Sequence, residues 1–166
     1  MLGAMKFSET TKAVLLVLDS CDDLKQTFEE ARQFIREACD YNLPTKVMEV
    51  APASLAAPAI AVVTMPPDEV GALETLCYRA LVRDHGDIAR CIEQLCEHSD
   101  VKNWGAEPQA KARLQCGIAV LNKDDPNKTL RWIFEREMQL IPIDDPAFDP
   151  VESLLLDFAK LAGVTT

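Results

Sequence analysis

The sequence predicts an α/β domain, a small and mostly parallel sheet of three or four strands covered by five or six helices. Three observations carry this expectation. Lys12-Ala-Val-Leu-Leu-Val-Leu18 and Ile60-Ala-Val-Val-Thr64 are short, continuous apolar runs, as expected of strands buried on both faces. Between them Leu24, Phe28, Ala31, Phe34, Ile35, Ala38 and Cys39 recur every three or four residues, the period of an amphipathic helix. Beyond Pro66-Pro67 the pattern is helical to the end, which leaves few strands and many helices to cover them.

Taken in order, residues 12–18 form the first strand, and the helix that follows starts near Asp22 with acids in its first turn. Asn42 and Pro44 stop it. Lys46-Val-Met-Glu-Val50 is expected as a short second strand, followed by an Ala/Pro-rich loop over 51–58 and the third strand at 60–64. Helices are expected over about 70–83, 86–98, 107–122, 127–138 and 150–162, separated by His85-Gly86, Trp104-Gly105, Asp125-Pro126 and the stretch from Asp144 to Pro150. Asp149-Pro150 reads as a helix start, an N-cap side chain followed by proline at the first helical position.

With 166 residues, 48% of them apolar, the chain suits one domain over 1–166. Its opening residues, 1–11, read equally well as a tag or disordered lead and as a natural start. A formal net charge of -10 argues against a generally nucleic-acid-attracting surface, so nucleic acid as a partner requires a local basic patch or a bound cation. Lys102, Lys111, Arg113, Lys123, Lys128, Arg131 and Arg136 form the one mildly basic tract, which a solvated helical face also explains. No apolar run approaches the roughly 20 residues that span a bilayer, so no membrane partner is expected. The six cysteines include no CxxC pair and no signal-peptide layout precedes them, which points to a reduced, cytoplasmic protein.

Chemistry is suggested at one place. The first strand runs into Asp19-Ser-Cys-Asp22-Asp23, and carboxylates at a strand's carboxyl end are where α/β proteins commonly place metals and catalysis. The same acids also suit a plain structural role, since an N-cap and negative charge at a helix N-terminus are favoured by the helix dipole. Glu74 is a further acid expected near the same sheet end, and Gly71 suits the turn into the helix that bears it. Cys91, Cys96, His85 and His98 do not bring a zinc set onto one helix face, and buried cysteines at helix contacts explain them. Trp104 and Trp132 read as packing residues rather than base-stacking platforms.

Three segments resemble a known family. The strand ending in Asp19 with its following acids, Pro66-Pro-Asp-Glu-Val-Gly71-Ala-Leu-Glu74, and Ala110-Lys111-Ala with Asp145-Pro-Ala-Phe148-Asp-Pro are similar to segments of uncharacterised prokaryotic TOPRIM-related proteins, including the overcoming-lysogenization-defect nucleases. The resemblance implies a TOPRIM-like fold and Mg²⁺-dependent phosphodiester chemistry. Mg²⁺ takes hard oxygen ligands, one or two carboxylates plus waters and substrate phosphate. On this resemblance Asp19, Asp22 and Asp23 are the metal candidates, Glu74 completes or orients the shell, and Lys111 neutralises charge on the phosphate. If Asp19 opens the family's Asp-x-Asp, its second acid falls on Cys21, a soft ligand. The strand that bears the family's glutamate is absent upstream of Lys12, so the chain reads as lacking the first strand-helix unit.

Two functions are therefore expected. One is a TOPRIM-like module degenerate for Mg²⁺ chemistry that oligomerises or binds a partner chain, because so small a sheet leaves edges to be covered. The alternative is an active Mg²⁺-dependent nuclease-type hydrolase in nucleic-acid metabolism or phage defence.

Overall fold

The computed structural model describes residues 11–38, 41–54, 57–130 and 140–162. Its elements are β1 (Ala13–Asp19), α1 (Leu24–Ala38), β2 (Val50–Ala51), β3 (Ala59–Met65), α2 (Leu73–Val82), α3 (Gly86–Glu97), a 3-10 turn at Asp100–Asn103, α4 (Ala106–Leu121), a second 3-10 turn at Pro146–Phe148, and α5 (Asp149–Leu161). The expected helix over 127–138 falls largely outside the described residues, as do Arg131, Trp132 and Arg136 of the basic tract.

The strand order is β1-β3-β2. β1 and β3 run parallel from Ala13 beside Ala59 to Asp19 beside Met65, a pairing that needs a crossover, and α1 lies in that crossover. β2 pairs antiparallel with β3, Val50 beside Ala61 and Ala51 beside Ile60. The sheet is therefore mixed: the long pair is parallel as expected and the short one is not. The expected strand at Lys46–Val50 shrinks to Val50–Ala51 for a local reason. Met48 has a positive φ of 63°, outside the extended region. The Glu49 carboxylate accepts from the Thr45 N–H (2.7 Å), the Thr45 hydroxyl (2.7 Å) and the Lys46 N–H (3.2 Å), which folds 45–49 into a turn.

Of the two apolar runs, only the second is buried on both faces. Every residue of β3 is buried, whereas β1 is an edge strand of half-buried residues with Val17 52% exposed. The alternation of side chains along β3 divides the core between the two faces of the sheet. Ile60 and Val62 meet Phe28, Ala31 and Ile35 of α1, with Val14, Leu16 and Leu18 alongside. Val63 and Met65 point the other way, to Leu76 of α2 and Leu154 of α5. A helical core continues from there, built from Cys77, Tyr78 and Leu81 of α2, Ile92 and Cys96 of α3, and Leu114 and Ile118 of α4. Cys96 is buried as expected of a cysteine at a helix contact, but Cys91 is exposed and Trp104 is 48% exposed rather than packed away. Among the described residues no helix is long and apolar enough to cross a membrane.

Candidate functional site

At the carboxyl end of β1 the chain turns sharply, and backbone hydrogen bonds hold the turn to the loop after β3. Cys21 and Gly71 exchange both of their backbone hydrogen bonds, at 2.8 and 2.9 Å. Cys21 has a φ of 50° and Gly71 a φ of 142°, the latter a conformation that side-chain-bearing residues rarely adopt. Ser20, fully buried, donates its N–H to the Met65 carbonyl (2.9 Å) and its hydroxyl to the Pro66 carbonyl. The turn therefore docks against the segment that leads into α2, and the three acids around it leave in different directions.

Each acid ends on the N-terminus of a different helix. Asp19 Oδ1 accepts from the Leu73 N–H at 3.0 Å, in the first turn of α2. Asp22 Oδ1 accepts from the Ala106 N–H at 2.5 Å, where α4 begins. Asp23 Oδ1 accepts from the N–H groups of Lys25 and Gln26, both at 3.0 Å, at the start of α1. The first N–H groups of a helix have no partner within the helix and carry the positive end of its dipole, so carboxylates are the natural acceptors. Asp23 caps its own helix, as sequence reasoning allows; Asp19 and Asp22 cap helices 54 and 84 residues away, which no local pattern reveals. Gly105 makes the Asp22 contact possible, since a Cβ built there would lie 2.9 Å from Asp22 Oδ2.

Asp19, Asp22 and Lys111 act electrostatically on Cys21, and Asp19 and Glu74 act on Lys111, so the fold gathers four of the expected site residues, while Asp23 faces its own helix. Glu107, one turn before Lys111 on α4 and ion-paired with it, joins them. Sequence reasoning missed Glu107, although its i, i+4 spacing from Lys111 is the signal of a helical ion pair. Burial pushes the Cys21 thiol above its ordinary pKa, and Glu107, Asp19 and Asp22 push it further while Lys111 opposes them. A thiol held protonated in this way is a weak nucleophile and a weak ligand. Lys111 is raised in turn, chiefly by its bond to Glu107 and then by Glu74 and Asp19, so it stays a cation.

Among the described residues no group of three or more His, Cys, Asp and Glu side chains is placed to hold a metal ion. Mg²⁺ asks for near-octahedral oxygen donors. Here the donors around the turn are the protonated Cys21 thiol, Asp19, Asp22 and Asp23, each with its Oδ1 bonded to a helix amide, and Glu107, paired with Lys111, and among the described residues they do not converge into such a set. Of the described residues of the basic tract, Lys111 pairs with Glu107, Arg113 with Glu93, and Lys128 with Asp125. No family model, no curated protein and no solved structure matches the chain.

Proposed function

We propose that this chain is a TOPRIM-like interaction module, degenerate for Mg²⁺-dependent phosphodiester chemistry, that works by oligomerising or by binding a partner chain along its sheet. The observation that carries this reading is the use of Asp19, Asp22 and Asp23 as acceptors for three different helix N-termini. A carboxylate bonded to a helix amide through Oδ1 is oriented for the fold, which leaves only its Oδ2 for any other ligand. Capping alone accounts for the acid cluster, with each cap contributing about 0.5–2 kcal/mol.

The alternative, an active Mg²⁺-dependent nuclease-type hydrolase, is favoured by one observation, the placement of Lys111 within electrostatic reach of both Asp19 and Glu74. Substitutions at Asp19 separate the two readings, because asparagine keeps an acceptor for the Leu73 N–H but removes the negative charge a metal needs. On the module reading, Asp19→Ala loses about 1–2 kcal/mol of stability, Asp19→Asn stays close to the parent, and calorimetric titration with Mg²⁺ or Mn²⁺ shows no saturable heat. Metal-dependent cleavage of DNA or RNA that both substitutions abolish, with melting temperatures unchanged, establishes the hydrolase instead.

A further inference from the structure

We infer that the outer edge of β1 pairs antiparallel with the same strand of a second copy, joining two three-stranded sheets into one. The inference rests on the interaction-module reading and names the partner. Lys12 accepts through its carbonyl from the Ala59 N–H (3.0 Å), and the Ser20 N–H donates to the Met65 carbonyl (2.9 Å), so the even-numbered residues turn their backbone groups toward β3. Backbone groups alternate sides along a strand, which leaves the N–H and C=O of Ala13, Leu15, Val17 and Asp19 pointing outward. Among the described residues β1 has one ladder partner, β3, and no backbone group meets those outward amides.

Edges of this length are ordinarily protected by a proline, a lysine within the ladder, a bulge or a covering element. From Ala13 to Leu18 the strand is Ala-Val-Leu-Leu-Val-Leu, with none of the first three, and Val17 is 52% exposed. The opposite edge, β2, is only two residues long, so among the described residues one usable edge remains and pairing closes at two copies instead of growing into a fibre.

The chemistry of β1 suits a second copy in particular. A two-fold axis normal to the sheet and passing beside Leu16 sets Ala13 opposite Asp19 and Leu15 opposite Val17. Every outward amide and carbonyl between Ala13 and Asp19 then finds a partner, and each side chain stays on its own face of the joined sheet. Lys12, exposed at the start of the strand, comes beside the acidic end of the other copy, where Asp19 and Asp22 lie. A parallel approach would instead put acids against acids, which is destabilising.

Val17→Pro tests the pairing cleanly. The Val17 N–H points away from β3, so proline there removes an outward donor without breaking the β1–β3 ladder, and proline is tolerated on such edges. Light scattering of the parent chain is expected to give the mass of a dimer, and Val17→Pro, with unchanged circular dichroism, to weaken association by about tenfold or more. Amide exchange supplies a readout that needs no variant: Leu15 and Val17 exchange more slowly as protein concentration rises, while Leu16, bonded within the sheet, stays protected at every concentration. A dimer that Val17→Pro leaves intact, or concentration-independent exchange at Leu15 and Val17, overturns the inference. A monomeric parent chain without metal-dependent nuclease activity overturns self-pairing alone; a monomer with that activity overturns the module reading as well.

Discussion

Gly71 and Cys21 show how a single backbone position holds the end of the sheet together. Gly71 sits at a φ of 142°, and a Cβ there would meet the Thr75 hydroxyl, which accepts from the Ala72 N–H at 3.3 Å as α2 begins. Gly71→Ala therefore strains the backbone and displaces the Thr75 hydroxyl at once. A loss of about 1–3 kcal/mol in chemical denaturation is expected, and an unchanged midpoint would mean that the Cys21–Gly71 bridge does not hold the turn. The raised thiol of Cys21 is a second residue-scale consequence. Alkylation by iodoacetamide at neutral pH is expected to be slower at Cys21 than at the exposed Cys91, and Glu107→Gln is expected to speed it by removing one of the charges that oppose thiolate formation. The acid cluster was conspicuous in the sequence because carboxylates stand out after an apolar run. Which amide each acid meets was not legible, because the partners of Asp19 and Asp22 lie on helices far along the chain.

Among the elements, the attachment of α5 to the helical core depends on Asp145. Its carboxylate, only 5% exposed, accepts from Arg83 at the end of α2 (2.6 Å to the Nη2) and from the Ala147 N–H (2.7 Å). The side-chain cap at this boundary is therefore Asp145-Pro146, one Asp-Pro pair earlier than the expected Asp149-Pro150; α5 itself has no side-chain cap. The Arg83 guanidinium, with help from the Ala147 amide and against the cost of burial, holds the Asp145 carboxyl below its ordinary pKa of 3.8. A carboxylate whose folded pKa is depressed contributes stability above the unfolded value and loses it as pH falls through the folded one. Asp145→Asn is thus expected to cost about 1–3 kcal/mol at pH 7 and to flatten the decline in melting temperature below about pH 4. Equal acid sensitivity in the variant and the parent would remove Asp145 from that role. Most element types were legible because period and punctuation are local properties. The strand expected at Lys46–Val50 failed because Glu49 folds back on Thr45 and Lys46, a side-chain competition that apolar alternation does not register.

For the whole molecule, burial is decided by what lies opposite. Leu154, Leu155 and Leu156 are identical in sequence chemistry, yet Leu154 is 5% exposed against Val63, Met65 and Leu76 while Leu155 and Leu156 are 43% and 45% exposed. Leu154→Ala is expected to cost about 2–5 kcal/mol in equilibrium unfolding and Leu155→Ala less than about 1 kcal/mol; comparable losses would mean that α5 docks by another face. The two apolar strands divide in the same way. Both runs, at β1 and β3, look fit for the centre of a sheet, but β3 takes the centre because it pairs on both sides, and among the described residues β1 pairs on one side alone. The sequence by itself determined an α/β domain with two apolar strands separated by an amphipathic helix and an acidic strand end, because hydrophobic period and helix punctuation act within a few residues. Only the tertiary structure decided that β1 is the edge, that β2 runs antiparallel, and that the acids serve three helix N-termini. Those outcomes depend on which distant backbone groups are brought within hydrogen-bonding reach.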